Sequence, residues 1–460
     1  MHTSIHPAKL FLLIIIMILY PVMLQYSALI DHTAASGESA AYAVMDKSLL
    51  HIRVSSVNPS VSTLAANTDN GFVIKVQVSD ETGAGVAGAG VRLEISRSAA
   101  DFDNSAVDSA DLGTFHPNEG ITDSSGSFLS VYSPPAAVPS ASEHTADTSN
   151  SKGISTGNGT GNRNGVGIGI SNGRGTGTGT GTSTITDTDT GSGSSVTLTA
   201  HLTGTEKSSS MKMKLVPVPI VLIHGYQASP TIFSGLSEYL KSEGFTPISF
   251  SYQSENGVAA AAADLADFLH QKVTELASEN IQVNRFDLIS HSMGGLIARY
   301  YTCSSDYSLN ANIRKLLFIS VPHKGSPFAS IGLTYYNDSG MQDLVPESEL
   351  YSTVFPSMIN GGLNPSIQTG NLLGRFDEVV GVESAALNEW GIHTELFDVG
   401  DSNFTLDKLL SGEILQATNH KMVLYNRKVF QRLRQMLETE LQYPQPYHGI
   451  NERFDGVLHN

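Results

Sequence analysis

The stretch that decides the fold is residues 286–295, which read FDLISHSMGG. The first five residues are mostly apolar, as in a strand buried on both faces, and a helix is predicted from Met293 onward. A tight turn between them would raise the Ser292 hydroxyl above the edge of a sheet, with Gly294 allowing close backbone approach. Ser290 stands where the strict Gly-x-Ser-x-Gly pattern has its first glycine, and it is small enough to fit. We therefore predict that Ser292 is a nucleophile.

Two backbone N–H groups are candidates for stabilising a negative charge that develops beside Ser292. One is the N–H of Met293, at the positive end of the following helix. The other is the N–H of Tyr226, because the preceding strand ends at His224-Gly225 and is expected to turn its next amide toward the same sheet edge. We expect His224 itself to orient this loop rather than to act as a base.

The elements around this turn alternate between strands and helices. The strands are continuously apolar, which is typical of a parallel sheet covered by helices on both faces. The strands are predicted at 218–223, 247–252, 286–290 and 315–321, and the helices at 231–242, 258–278, 293–301 and 423–437. The sequence thus predicts an α/β domain over residues 215–443, followed by a tail at 444–460.

The preceding residues, 68–205, have the pattern of an all-β sandwich. Four runs alternate between apolar and polar residues and are separated by Gly, Asp and Ser: 72–78, 91–95, 127–132 and 195–200. A segment at about 138–195 consists mostly of Gly, Ser, Thr and Asn. We expect it to be a disordered insertion, because such a composition buries too little apolar surface to offset its ordering entropy.

The first 30 residues carry an export signal. Lys9 precedes the uncharged apolar run LFLLIIIMILY at 10–20, which is typical of a secretory signal peptide. No small-x-small cleavage triplet follows closely, so an uncleaved membrane anchor is the alternative. Either way we expect an exported protein, extracellular or at the cell surface, where the N-terminus could associate it with a membrane.

Charge and cysteine content exclude several classes of function. The chain has 27 basic and 44 acidic residues, a net charge of −17, and no stripe of Lys and Arg, so nucleic-acid binding is not expected. The single cysteine, Cys303, excludes an intramolecular disulfide and a cysteine-based metal cluster. We expect neither a metal nor a cofactor.

Residues 219–437 resemble the α/β-hydrolase fold. The closer resemblance is to bacterial triacylglycerol lipases and their lecithin–cholesterol acyltransferase-like and inositol-deacylase-like relatives. Besides the turn at Ser292 and the His224-Gly225 pair, it is carried by residues 320–326 (SVPHKGS) and 341–348 (MQDLVPES). It implies a Ser-His-Asp triad, an acyl-enzyme intermediate and a lipid or other carboxylic ester substrate. Separately, residues 78–83, 86–91 and 122–126 resemble a bacterial Ig-like, invasin-type module.

The same resemblance implies which residues complete the triad. Asp377 matches the acid of the family's Asp-Gly-Val-Val loop, although Glu378 replaces the glycine. Glu378 and Asp398 are the alternative acids.

For the base, chain order requires a histidine after the acid. His420 precedes the last predicted amphipathic helix, which is the setting of the family's catalytic histidine. His393 is the second choice, and His448 and His459 fall in the tail. His323 precedes the acid and is expected to form a wall of the cleft.

Two questions stay open at this point. Residues 326–375 contain many large apolar side chains, which fit either a helical lid over an acyl-chain channel or additional core helices. The function is expected to be that of an exported carboxylic ester hydrolase of lipase or esterase type. An acyltransferase or thioesterase would use the same triad, and a non-catalytic cell-surface adhesion protein is the alternative from another class.

Overall fold

The computed structural model describes residues 46–97, 112–138, 194–305, 307–400, 418–442 and 457–459. The predicted leader, nearly all of the Gly/Ser/Thr/Asn-rich insertion and His448 lie outside these described residues. Within them, no helix combines the length and the apolar character that crossing a membrane requires.

The N-terminal half consists of two β-sheets that share one hydrophobic core. Its strands are β1 His51–Ser56, β2 Thr63–Ala65, β3 Phe72–Ser79, β4 Gly90–Arg97, β5 Thr114–His116, β6 Glu119–Ile121, β7 Ser127–Ser133, β8 Ser194–Leu202 and β9 Ser208–Val216. One sheet has the order β1-β3-β7-β5, and β2-β9-β8-β4-β6 are consecutive in the other. Side chains alternate between core and surface, so that Ile74 of the first sheet and Leu198 of the second lie in the same buried cluster.

The boundaries of this half differ from the predicted 68–205. Strands β1 and β2 come before residue 68, and β9 extends to Val216. The sequence of β9, SSSMKMKLV, does not predict a strand, because Ser and Lys occupy most of its positions. The described residues of this half contain these strands and a short helical turn at Lys47–Leu49, and the all-β Ig-like sandwich stays a prediction.

The second half is built on a parallel sheet. Its strands are β10 Ile220–Ile223, β11 Pro247–Phe250, β13 Phe286–His291, β14 Ile313–Ile319, β15 Gln368–Gly374, β16 Thr394–Phe397 and β17 Val457–His459. Their order is β11-β10-β13-β14-β15-β16-β17, and every pair is parallel. The prediction of a parallel sheet from continuously apolar strands is therefore confirmed.

Helices cover both faces of this sheet. They are α1 Ser234–Ser242, α2 Val258–Ser278, α3 Met293–Cys303, α4 Tyr307–Asn310, α5 Pro327–Gly332, α6 Ser339–Asp343, α7 Phe355–Ser357, α8 Val382–Ala385, α9 Thr418–Met422 and α10 Arg427–Glu438, with a π-helical turn at Leu350–Val354. On one face, Leu288 packs with apolar side chains of α2 and α3. On the other, Ile289 packs with those of α1 and α10. The side chains of successive strand residues therefore pack into the cores on opposite faces of the sheet.

The two halves are joined without a free linker. Only residues 217–219 separate β9 from β10, and a short strand of the second half, β12 Ile281–Gln282, pairs with β2 of the first. Asn70 is buried at this seam, and its side-chain amide donates to the carbonyl oxygens of Ala65 and Gln282, each at 2.9 Å. The sheet of the N-terminal half therefore continues into the connection between α2 and β13.

Residues 326–375, for which a lid and additional core helices were both open, are divided between core and surface. Its end forms β15, and Leu350, Phe355 and Leu363 are buried in the core of the second half. By contrast, large side chains near α5 are exposed: Ile331, Tyr335 and Tyr336. The C-terminal end of the segment therefore agrees with the core alternative, and a lid formed by its exposed part stays a prediction.

Candidate active site

Ser292 occupies a strained turn between β13 and α3. Its backbone has φ 54° and ψ −128°, a region that costs a non-glycine residue about 1–3 kcal/mol. A Cβ at Gly294 would lie 2.4 Å from the carbonyl oxygen of Ile223, so only glycine fits there. Ser290 is fully buried and occupies the other crowded flank. The turn thus has the geometry of a nucleophile elbow.

The sheet order explains why two loops meet at this serine. Strands β10 and β13 are neighbours, and the next sheet strand in the chain lies on opposite sides of this pair: β11 follows β10 on one side and β14 follows β13 on the other. The carboxyl ends of such strands border the crevice in which open α/β sheets bind ligands. A Cβ at Gly225, in the loop after β10, would lie 2.8 Å from the Ser292 Cβ. The two loops therefore touch at the serine.

The two predicted oxyanion donors belong to these loops. Tyr226 follows Gly225 directly, in the loop that touches Ser292. Met293 is the first residue of α3, where a backbone N–H has no partner within the helix. The Tyr226 side chain makes a separate contact, in which its hydroxyl donates to Asp338 at 2.5 Å.

His224 is held as part of the loop. Its Nδ1–H donates to the carbonyl oxygen of Gly225 at 2.9 Å, and its ring stacks on Tyr252 with 4.4 Å between centroids. The Tyr252 hydroxyl donates to the His224 carbonyl oxygen at 2.7 Å. Burial lowers the pKa of the His224 imidazole, so the ring is neutral at neutral pH. These contacts agree with an orienting role.

His420 and Asp377 form a buried hydrogen-bonded pair. The Nδ1 of His420 lies 2.8 Å from Oδ2 of Asp377, and their side chains are 6% and 1% exposed. The other carboxylate oxygen accepts from the backbone N–H groups of Val379 and Val380. Burial alone would raise the pKa of Asp377, but His420 and these hydrogen bonds outweigh it, and the pKa lies below its usual value. The carboxylate is thus ionised and oriented.

His420 of this pair contacts the residue that precedes the serine. His291 immediately precedes Ser292 in the chain, and its ring centroid lies 4.5 Å from that of His420. Its Nε2–H donates to the backbone carbonyl oxygen of His420 at 3.0 Å. Burial, with His420 adding to it, lowers the pKa of His291 to about 3. The ring is therefore a neutral donor, a role that adjacency to Ser292 alone did not reveal.

The other candidate histidines lie elsewhere. His393 is exposed just before β16. His459 lies in β17, with β14, β15 and β16 between it and β13. His323 is buried with Nδ1 3.2 Å from the Arg299 guanidinium, and burial together with that cation lowers its pKa far below the usual range.

Neither alternative acid takes the place of Asp377. Asp398 forms an ion pair with Arg375. Glu378 accepts from the backbone N–H groups of Asn419 and His420 instead of binding an imidazole. The immediate setting of His420 also differs from the predicted loop. The residue lies in its own short helix, α9, and the last amphipathic helix begins only at Arg427.

The described residues were also expected to hold no metal. Among these described residues, no group of three or more His, Cys, Asp or Glu side chains is placed to hold an ion. The expectation that the chemistry needs no metal or cofactor stays a prediction. What the residues near Ser292 can do is donate hydrogen bonds and move a proton.

Comparison with known proteins finds similarity in this half. Residues 250–339 match the family described as the PGAP1-like alpha/beta domain. Over 95 residues, or 21% of this chain, the sequence is 34% identical to triacylglycerol lipase 2 of Saccharomyces cerevisiae. The chain covers 28% of the length of that relative.

Similar solved structures include two lipases. A lipase of Bacillus licheniformis in its mature form aligns with a TM-score of 0.35 and 13% identity, over 48% of this chain and 92% of that one. Lipase B of Aspergillus fumigatus aligns with a TM-score of 0.36 and 15% identity, over 50% and 54%. Because both scores are low, the fold assignment rests on the observed topology and the sequence matches. Together these support an α/β-hydrolase, lipase-like group for the half of the chain that holds Ser292.

Proposed function

We propose that the protein is a carboxylic ester hydrolase of lipase or esterase type that acts through a Ser292-His420-Asp377 triad. The observation that carries the proposal is the buried hydrogen bond between His420 and Asp377. It is supported by the contact of His420 with His291, the chain neighbour of Ser292, and by the positive φ of Ser292 at a strand-to-helix turn. An imidazole oriented by a carboxylate near such a serine is the arrangement that activates a hydroxyl as a nucleophile.

In the proposed reaction, the Ser292 Oγ attacks the acyl carbonyl carbon while Nε2 of His420 accepts the hydroxyl proton. Asp377 accepts the Nδ1–H bond and stabilises the imidazolium. The N–H groups of Tyr226 and Met293 donate to the oxyanion of the tetrahedral intermediate. His420 then returns the proton to the departing alcohol, which leaves an acyl ester on Ser292. Water attacks this ester by the same route and releases the acid.

A lipid ester is the substrate class that we favour. The similarity to a protein named triacylglycerol lipase supports it. So does the exposed apolar group Ile331, Tyr335 and Tyr336, since Tyr336 contacts the ring of Tyr226 edge-on with 6.2 Å between centroids. From the apolar N-terminal run we further propose export, with the protein outside the cell or at its surface.

Hydrolysis of p-nitrophenyl butyrate and p-nitrophenyl palmitate by the purified protein tests the proposal, with Ser292→Ala as the paired variant. We expect the variant to lose at least about 10³-fold in kcat, since removing a triad nucleophile removes the covalent route. Equal hydrolysis by both proteins would overturn the assignment. The ratio of the two rates measures chain-length preference, and addition of an alcohol acceptor reports transfer, as a new ester in place of free acid.

A further inference from the structure

Residues 376–378 accept hydrogen bonds from Asn419 and from His420, the proposed catalytic histidine. The carbonyl oxygen of Phe376 accepts from the Asn419 side-chain amide at 2.8 Å. Asp377 accepts from the His420 ring at 2.8 Å. Glu378 accepts from the backbone N–H of Asn419 at 3.1 Å with one oxygen and from that of His420 at 2.9 Å with the other. Adjacent carboxylates thus hold the side chain and the main chain of the same histidine.

The opposite side of His420 is held as well. Its carbonyl oxygen accepts from Nε2–H of His291, the neighbour of Ser292. The N–H, the C=O and the ring Nδ1 of His420 therefore each have a partner, and the partners are Glu378, His291 and Asp377. With the peptide groups on both sides of its Cα held, the imidazole is oriented by its side-chain torsions and by the bond to Asp377.

We propose that Glu378 is a positioning residue for catalysis, which fixes the main chain of His420 so that its imidazole stays aligned with Ser292. This inference rests on the proposed function. It also accounts for the departure from the Asp-Gly-Val-Val loop that residues 377–380 resemble. Glycine offers no side-chain acceptor at this position, whereas Glu378 supplies two oxygens.

Loss of Glu378 would leave two main-chain N–H groups without its carboxylate. Asn419 and His420 are both buried, and a buried donor without a partner is costly enough to shift the chain that carries it. Hydrogen bonds to a carboxylate are also shorter and stronger than those to a neutral acceptor. Without Glu378, the segment would keep the Phe376 bond to the Asn419 side chain, the Asp377 bond to the ring and the His291 bond to the carbonyl, but would lose the two bonds that its main-chain N–H groups donate to Glu378. Displacement of a catalytic group by about 1 Å can cost about 10²-fold in rate.

The test compares Glu378→Ala, Glu378→Gln and the control Glu383→Gln, an exposed acid five residues later at α8. Hydrolysis of p-nitrophenyl butyrate supplies kcat and KM, and thermal unfolding supplies Tm. We expect Glu378→Ala to lose about 10- to 100-fold in kcat with KM changed by less than about twofold. Glutamine keeps one acceptor oxygen, so Glu378→Gln should lie between alanine and wild type. Glu383→Gln should match wild type.

Labelling of Ser292 by a fluorophosphonate gives a second reading that does not depend on deacylation. Its rate should fall in the same order, because attack by the serine also needs an aligned base. Wild-type kcat and labelling in Glu378→Ala would overturn the positioning role, and so would a loss that appears in KM alone. If the alanine variant fails to fold, Glu378→Gln decides: reduced kcat at the wild-type Tm supports the proposal, and wild-type kcat refutes it.

Ser292→Ala separates this inference from the proposed function. An inactive serine variant beside a fully active Glu378→Ala would remove only the positioning role. A serine variant as active as wild type would remove the hydrolase assignment and, with it, the basis for the inference.

Discussion

Two segments of the second half are each bound by residues distant in sequence, and the two sets of bonds differ in chemistry. At the seam, residues 280–285 are bound to the N-terminal half mostly through neutral amides and backbone groups, chiefly Asn70 and Gln282, with an exposed ion pair between Arg285 and Asp69. At the candidate site, residues 419–420 are bound by the carboxylates of Asp377 and Glu378.

The difference separates stability from catalysis. The neutral bonds of the seam satisfy buried polar groups and fix one half against the other, so their loss should appear in the free energy of unfolding. The carboxylates of the site also set the charge and orientation of an imidazole, so their loss should appear mainly in kcat. Substitutions of similar size in the two segments should therefore affect different measurements.

The largest effect in this comparison is expected for Asp377→Asn. An amide at this position can offer a donor to Nδ1 of His420, which stabilises the wrong imidazole tautomer. We expect kcat for p-nitrophenyl butyrate to fall about 10³- to 10⁴-fold. The Tm, measured on the same samples, should change far less than the rate. If kcat instead fell by less than about tenfold, another group would have to orient the histidine.

A smaller effect, of the opposite kind, is expected for Asn70→Ala. The substitution removes two donated bonds, to Ala65 and Gln282, and the bond that Asn70 accepts from the Gln282 amide. Loss of these partners should lower the free energy of unfolding by about 1–3 kcal/mol. Urea unfolding measures this loss, and kcat of the folded variant should stay within about twofold of wild type. A large drop in kcat without a drop in stability would break the separation between the two segments.

The smallest effect is expected for Arg285→Gln, within the seam itself. Arg285 pairs with Asp69 at 2.8 Å, but the two side chains are 30% and 52% exposed. Exposed ion pairs contribute about 0–1 kcal/mol. Urea unfolding of this variant beside Asn70→Ala should therefore rank the buried amide well above the exposed ion pair. The reverse order would mean that charge, and not buried polar satisfaction, holds the seam.

Patterns among neighbouring residues predicted the buried strands, the longest helix and the turn at Ser292. The continuously apolar strands indicated a sheet buried on both faces, and helical spacing gave residues 258–278, which are the bounds of α2. The strand, serine and glycine around Ser292 likewise predicted the turn that the structure contains, because such a turn requires small residues directly beside the serine.

Features that depend on contacts between distant residues were not predicted. Strand β12 has two residues and no periodicity, and it forms only because β2 lies beside it. The bonds from Glu378 end on backbone N–H groups, which every residue other than proline has, so no side-chain pattern marks them. Chain order and resemblance named Asp377 and His420, but not what holds them in place.

The pairing of β2 with β12 also has a consequence for how the chain could be divided. A protease cut between Val216 and Ile220 would break the covalent connection between the halves, yet the β2–β12 pair and the amides around Asn70 would remain. Ala65, from the N-terminal half, would still be buried in the hydrophobic core of the other. The two fragments are therefore expected to co-elute in native size-exclusion chromatography and to come apart only under denaturing conditions.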